Sequence, residues 1–391
     1  MKKFFIASLI FLTGFCLAAE TEILQAENEN SLEEIISNEN QNSSNENSQD
    51  ENVAEENSSA GENPAPTEIS EKENPQKTPG WNFAIEPLFG FRFGKEGEIV
   101  WANNSKNGDR YKLSELEWEY TPAWYLGGKI FANYKRFEVL SISKFFMPTH
   151  CGTMKDSDWL QDSYYGTGNT SIKTNYSESE NHIHEAFDLE LSFAFKFYPT
   201  YFLTLRPKIS ASYQRMKFRA IGGTLWYGND EDGIAFNQNS YKGSYHSYDS
   251  ENATMAKIDD GTTVIKYDTR NIYLWAGIQA DFIPNKKIVL SLALEAAPIL
   301  YMLSYDNHAL REIDYKQFSI SAFFAVRPSL NAIFSFNDFI SIALNFCGVF
   351  TGMTQGPNFI KENAITYTEI YNSAGGYSMY FDAGISVKFS L

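Results

Sequence analysis

From Trp81 onward the chain alternates with a period of two. Trp81, Phe83, Ile85, Pro87, Phe89, Phe91 and Phe93 form one set, and Asn82, Ala84, Glu86, Gly90 and Arg92 the other. Successive side chains of a strand point to opposite faces, so this spacing predicts an extended strand with one apolar face and one polar or small face. The last stretch repeats the pattern: Tyr377, Met379, Phe381, Ala383, Ile385, Val387, Phe389 and Leu391 alternate with Ser378, Tyr380, Asp382, Gly384, Ser386, Lys388 and Ser390. A chain ending on such a strand can pair it with the first and close a cylinder.

Between these ends, very short turns are predicted around Tyr134 to Arg136, Tyr198 to Tyr201, Ile283 to Lys287 and Ser335 to Asp338. Four tight turns join eight strands, and the first and last strands bring the total to about ten. Five longer polar loops are predicted near 94–110, 148–183, 222–268, 303–316 and 352–375. Short turns on one rim and long loops on the other are the arrangement of outer-membrane barrels. Many strands read as about 15 to 20 residues, whereas a strand tilted at ~45° crosses the bilayer in about 9 to 11. The barrel is therefore expected to project above the membrane on its loop side. A ten-stranded barrel is also little wider than the eight-stranded size that side chains alone can fill, which disfavours an open diffusion pore. The fold class predicted is an all-β, transmembrane antiparallel barrel of about ten strands with long extracellular loops.

The same alternation would suit a soluble lipocalin-like barrel with its apolar face turned inward. Dense aromatics on nearly every strand and the N-terminus favour the membrane. Residues 1–19 open with Lys2 and Lys3, continue through an apolar stretch from Phe4 to Leu17, and end on Ala18 and Ala19, the pattern of a secretory signal. Cleavage there leaves Cys151 and Cys347, which are read as unpaired. The net charge of −17 is concentrated in residues 20–79, which hold 16 acids against two lysines and no aromatic residue. A segment so rich in Glu, Asn and Ser cannot bury enough apolar surface to offset its ordering entropy and is expected to be disordered. Residues 80–391 are left as the barrel. Nucleic-acid binding has no support, since there is no basic patch or stripe.

Two clusters in the predicted loops could carry chemistry. Asp156 and Asp158 lie at i, i+2 in Met154-Lys155-Asp156-Ser157-Asp158-Trp159, and Asp306 and His308 lie at i, i+2 in Ser304-Tyr305-Asp306-Asn307-His308. That spacing in an extended chain points both side chains into one space. It lets a carboxylate orient an imidazole, whose reference pKa of ~6.5 suits a general base near neutral pH. Two further carboxylates facing the pair could hold a water, so the constellation reads as water-activating with no covalent nucleophile. On spacing alone an Asp-x-Asp is more often a solvated loop, and a single loop histidine is usually just exposed. His182 and His184 could pair on a metal, yet no Cys or carboxylate cluster accompanies them at a zinc-like spacing, and no metal site is predicted.

With these clusters placed, most of residues 81–391 resembles the omptin family of outer-membrane endopeptidases. The resemblance is carried by Ser114-Glu115-Leu116-Glu117-Trp118, by the paired-aspartate segment 154–159, and by Tyr213-Gln214 with Gly222-Gly223 and Ile265-Lys266-Tyr267. Asp306-Asn307-His308 looks like the family's aspartate–histidine dyad. The resemblance implies a catalytic groove at the extracellular rim in which Asp306 orients His308, His308 and Asp156 activate a water, and Asp158 completes the couple. It also implies cleavage beside basic residues, with Glu98 as a pocket acid and Met154 at the pocket floor. Ser304 stands where a second pocket acid would be. Lipopolysaccharide on outward basic residues, with Lys217 and Arg219 in the right neighbourhood, is the lipid requirement implied.

The function expected is an outer-membrane endopeptidase acting on extracellular proteins or peptides as a monomer without a metal or organic cofactor. The alternative is a non-enzymatic barrel serving as an adhesin or narrow pore, its loop carboxylates merely solvated.

Overall fold

The computed structural model describes residues 80–104, 107–160, 170–228, 246–251, 253–321, 325–362 and 367–391. The expected signal peptide (1–19) and acidic segment (20–79) lie outside the described residues.

The described residues form fourteen strands: β1 (Trp81–Asn103), β2 (Arg110–Tyr134), β3 (Phe137–Phe146), β4 (Thr149–Asp158), β5 (Asn175–Phe195), β6 (Phe197–Thr200), β7 (Leu203–Tyr227), β8 (Thr254–Asn285), β9 (Ile288–His308), β10 (Ile313–Ser321), β11 (Ala325–Ser335), β12 (Ile340–Thr351), β13 (Gly356–Glu362) and β14 (Thr368–Ser390). Four short breaks divide staves that are otherwise continuous. Thus β2 pairs with both β3 and β4, β7 with both β5 and β6, β9 with both β10 and β11, and β14 with both β12 and β13. Counted as staves, the sheet has the ten predicted from the turns. All pairings are antiparallel, and β1 meets β14 from Ala84 opposite Ser390 to Val100 opposite Ala374, which closes the ring. Closure leaves no row of unpaired backbone groups, a requirement for strands that cross hydrocarbon.

The two faces of β1 decide which side meets lipid. Ile85, Phe89 and Phe93 are 43 %, 42 % and 43 % exposed, while Glu86 and Arg92 between them are 2 % and 0 % exposed. The same inversion runs through Leu126 and Ile130 on β2, Ile278 and Phe282 on β8, and Leu290, Leu292 and Leu294 on β9, all outward and exposed. In water this belt would be an apolar patch far larger than the few hundred Å² that soluble proteins tolerate. A soluble barrel with its apolar face inward is excluded by the same observation.

Inside the belt the lumen is filled by ion pairs. Arg92 donates to Asp382 at 2.7 and 3.0 Å and to Asp188 at 2.6 Å, and Arg327 reaches Glu190 at 2.5 Å and Glu295 at 2.9 Å. A cavity of about 280 Å³ remains among them, lined by Glu86, Arg92, Lys144, Glu190 and Arg327 with others. The aromatic layer sits higher along β1, where Gly94 and Glu96 lie opposite Tyr120 and Trp118. Trp118 stacks on Phe218 and Tyr267 with ring centroids 5.4 and 5.2 Å away, and Tyr120 meets Phe218 at 5.6 Å and Tyr380 at 6.2 Å. These rings come from β2, β7, β8 and β14, so they reach across the lumen and separate the charged cavity from the rim.

The four tight turns fall where predicted, at Lys135-Arg136, Tyr201-Phe202, Lys286-Lys287 and 336–339. The opposite rim differs from expectation. Strands continue to Asn103, Asp158, Tyr227 and His308, so the loops predicted near 94–110 and 303–316 are largely strand, and both ends of those predicted near 148–183 and 222–268 are strand too. Between His308 and Ile313 only a four-residue turn remains, closed by Arg311 N–H donating to His308 O at 3.0 Å, with Glu312 at φ +57°. The wall stands higher above the apolar belt than loop-based reasoning implied, and the candidate residues lie on it. Cys151 and Cys347 are free, Cys151 buried and Cys347 partly so.

Candidate active site

Asp156 and Asp158 sit at the end of β4, and Asp306 and His308 at the end of β9. The strand geometry performs what their spacing implies, since residues two apart on one strand share a face, here the inward one. Asp158 lies in register between Ser114 of β2 and Asn175 of β5, and Asp156 between Leu116 and Ser177. Asp306 and His308 lie in register between Tyr267 and Ile265 of β8 and Tyr315 and Ile313 of β10. His308 Nε2 donates to Asp306 Oδ2 at 2.7 Å, and Asp306 is 3 % exposed. That bond fixes the ring and leaves its other nitrogen free to act as an acceptor.

The two pairs face each other across the barrel mouth. Asp156, Asp158 and His308 line one cavity of about 30 Å³, together with Tyr227, Ile265 and Arg311. A water needs about 10–15 Å³ of such space and two to four polar partners, so this cavity accommodates one between the carboxylates and the imidazole. Asp156 Oδ1 and Asp306 Oδ1 are buried with no protein partner among the described residues. Buried oxygens of this kind are unfavourable unless water or a ligand meets them.

The acids shift one another. Asp156 is raised to about 7, chiefly by burial and then by the charge of the nearby Asp158, against the opposing charges of His308 and Arg311. Burial likewise raises Asp158, against the opposing charge of Arg311. Like charges close together cannot both ionise cheaply, so the pair holds a proton into the neutral range. Burial pulls His308 down, but the charge and hydrogen bond of Asp306 outweigh it, and the imidazole ends above its ordinary 6.5.

Glu98 of β1 is 2 % exposed and feels Asp306 and Asp156, which puts it in the same groove. Met154 is fully buried opposite Trp118, at the level of the aromatic layer beneath the couple. Ser304 is buried on β9 opposite Gln317 of β10. Asp156, Asp158, Asp306, His308 and Glu98 thus lie together at the rim, with Met154 two positions before Asp156 on β4. Lys217 and Arg219 border an outer surface cavity with Lys266 and Tyr305, and Lys217 binds Glu185 at 2.6 Å. Among the described residues no group of three or more His, Cys, Asp or Glu is arranged for a metal, and His182 pairs with Glu180 at 3.2 Å.

Sequence reasoning missed Arg311, which lines the cavity and opposes the charge of both aspartates. Its signal was the three-residue step beyond His308, legible only once 309–312 is known to be a tight turn. Gln317, hydrogen-bonded to Glu98, was missed because no spacing links positions 219 residues apart.

Residues 81–246 match the model of the Omptin family, a span that contains Asp156 and Asp158 but not the dyad. The crystal structure of the outer membrane protease OmpT from Escherichia coli superposes with a TM-score of 0.67 at 17 % identity, covering 82 % of this chain and 99 % of that one. The toluene transporter TodX of Pseudomonas putida aligns over 80 % of this chain and 90 % of its own at 9 % identity, but with a TM-score of 0.25 that carries no argument. A search of curated proteins gives no match. The resemblance drawn from the residues is thus found independently over residues 81–246, and the barrel as a whole has the fold of that OmpT structure.

Proposed function

We propose that this chain is an outer-membrane endopeptidase that hydrolyses peptide bonds of extracellular proteins or peptides, with its groove facing outward. The observation that carries the reading is the water-sized cavity shared by Asp156, Asp158 and His308, with His308 held by Asp306 at 2.7 Å. Water in that cavity gives up a proton to His308, its oxygen attacks the scissile carbonyl carbon, and the proton then passes to the leaving amine as the C–N bond breaks. Asp306 orients the ring and stabilises the imidazolium that forms. Asp156 and Asp158 fix the water from the other side and share a proton, and Arg311 limits their mutual repulsion. Glu98 receives the side chain before the cut, which favours a basic residue there. Lys217 and Arg219 on the outer wall support a contact with an anionic outer-membrane lipid such as lipopolysaccharide.

The test is a refolded barrel in lipid with a quenched peptide containing Arg-Arg. Turnover by the parent and its loss in His308→Ala is the expected outcome, and equal turnover in the two would sink the mechanism.

A further inference from the structure

Attack on a scissile carbonyl creates a charge that the groups described so far do not meet. As the water oxygen bonds to the carbonyl carbon, the carbonyl π pair moves onto its oxygen, and that oxyanion forms among Asp156, Asp158, Asp306 and Glu98. The acids repel it, so hydrogen-bond donors must face it. The backbone is committed elsewhere: Thr174 N–H donates to Asp158 O at 2.8 Å, Gly228 N–H to Thr174 O at 2.9 Å, and Ala309 N–H to Val264 O at 2.9 Å. Besides His308, two side chains on the cavity wall carry N–H groups, Asn175 and Arg311. Asn175 of β5 lies in register between Asp158 and Tyr227 and is 4 % exposed. Its carboxamide sits beside Asp158, yet neither its Nδ2 nor its Oδ1 completes a hydrogen bond among the described residues. A carboxamide buried with both ends empty is rare unless something enters to meet it. Arg311 stands on the turn between β9 and β10 and bonds the Tyr227 hydroxyl.

The geometry points to Asn175 Nδ2 and the Arg311 guanidinium as the donors that hold the oxyanion, which makes both of them catalytic residues. The inference rests on the endopeptidase reading and adds to it the groups that bear the charge of the transition state. The cavity of about 30 Å³ exceeds the roughly 10–15 Å³ that one water needs, so a carbonyl oxygen fits beside the attacking water. Leu225, Val264, Ile265 and Leu310 make the rest of the wall apolar, and in such surroundings a preorganised donor is worth more than in water. The charges also balance. The water proton passes to His308 as the oxyanion forms, so an imidazolium facing Asp306 and an oxyanion facing Arg311 appear together. When the C–N bond breaks, the electron pair on oxygen restores the carbonyl and the proton leaves on the amine.

The experiment uses the refolded barrel in lipid and two quenched Arg-Arg peptides that differ in one atom, with oxygen or sulfur on the scissile carbonyl carbon. Sulfur accepts hydrogen bonds poorly, so the ratio of kcat/KM for the oxygen peptide to that for the sulfur peptide reads the donors, and it does not depend on how much of a variant folds. Rates are taken on the plateau of each variant's pH profile, so that shifts in Asp156 or His308 do not enter. Asn175→Ala is expected to lower kcat on the oxygen peptide by about 10²-fold with KM nearly unchanged, the loss that follows removal of one oxyanion donor, and to lower the ratio at least ~10-fold. Arg311→Gln is expected to lower the ratio as well, and Arg311→Lys, which keeps the charge without the planar fork, to restore part of it. An unchanged ratio in Asn175→Ala or in Arg311→Gln, whatever the turnover, would overturn the inference while leaving the endopeptidase reading intact. No cleavage of the oxygen peptide by the parent would overturn the endopeptidase reading itself.

Discussion

The barrel buries carboxylates in two places, and it treats them in opposite ways. In the lumen at the level of the apolar belt, each acid is matched by a base: Asp382 and Asp188 by Arg92 and Lys144, Glu190 and Glu295 by Arg327, Glu86 by Lys129. At the rim, Asp306 and Glu98 are as hidden from solvent and Asp156 and Asp158 are partly buried, but the four face mainly each other, with one imidazole and Arg311 among them. Free oxygens remain on Asp156, Asp306 and Glu98. The lower network matches charge for charge and ties opposite walls together, although Arg92 Nη1 and Asp188 Oδ1 lack a partner among the described residues. The upper one is left unsatisfied, a state that native structures retain where a ligand or a reaction completes it. The aromatic layer from Trp118 to Tyr380 keeps the two apart.

The sharpest way to separate the two regions is to break each in turn. His308→Ala is expected to lower kcat/KM by about 10³-fold or more, the range of a lost general base, while the unfolding temperature of the barrel in detergent stays within a few degrees of the parent. Arg92→Ala is expected to do the reverse. It leaves Asp382 and Asp188 to Lys144 alone in the lumen and should cost on the order of 3 kcal/mol of stability, read as a lower denaturant midpoint, with activity per folded molecule retained. If His308→Ala unfolded the barrel, or Arg92→Ala abolished turnover in folded protein, the division of labour would be wrong.

The lower region was largely legible in the sequence and the upper one only in part. Against lipid the outward face must be apolar at every second position, so Ile85, Phe89 and Phe93 announce β1, and the tight turns at Lys135 and Lys286 count the staves. Above the bilayer the outer face also meets water. Lys217, Lys266, Asn307 and Asp314 line the same outer wall, alternation fades, and a continuing hydrogen-bond ladder looks like loop. That is why 303–316 reads as a loop although Asp306 and His308 lie on β9. The dyad and the couple survived this error because i, i+2 spacing means the same thing in any extended chain. Arg311, Gln317 and Asn175 did not, because their place depends on a turn length and on cross-strand register that periodicity does not encode.

A smaller effect tests the coupling inside the rim. Asp306 raises His308 by charge and hydrogen bond, and it also raises Asp156. His308 must lose its proton for the water to be activated, so activity falls as pH drops through its raised value. Asp306→Asn removes the raising charge, and both values move down. The acid limb of kcat/KM is expected to shift to lower pH while the plateau falls, and a limb that stays in place would show that Asp306 does not tune the site.

The smallest effect sets function against stability in one side chain. Asp156 titrates near 7 in the fold and near its ordinary 3.8 when unfolded, so the folded state binds its proton more tightly. Stability contributed by the protonated form is full below about pH 4, declines as pH rises toward 7, and is absent above it. Asp156→Asn removes that loss. The variant is expected to be inactive yet to gain on the order of 1 kcal/mol over the parent at pH 8 to 9, with the gain vanishing near pH 4. Denaturant midpoints measured in lipid at the two pH values decide it. A variant less stable than the parent at pH 9 would mean that the Asp156 charge is compensated as fully as those in the lumen, and the contrast between the two regions would lose its basis.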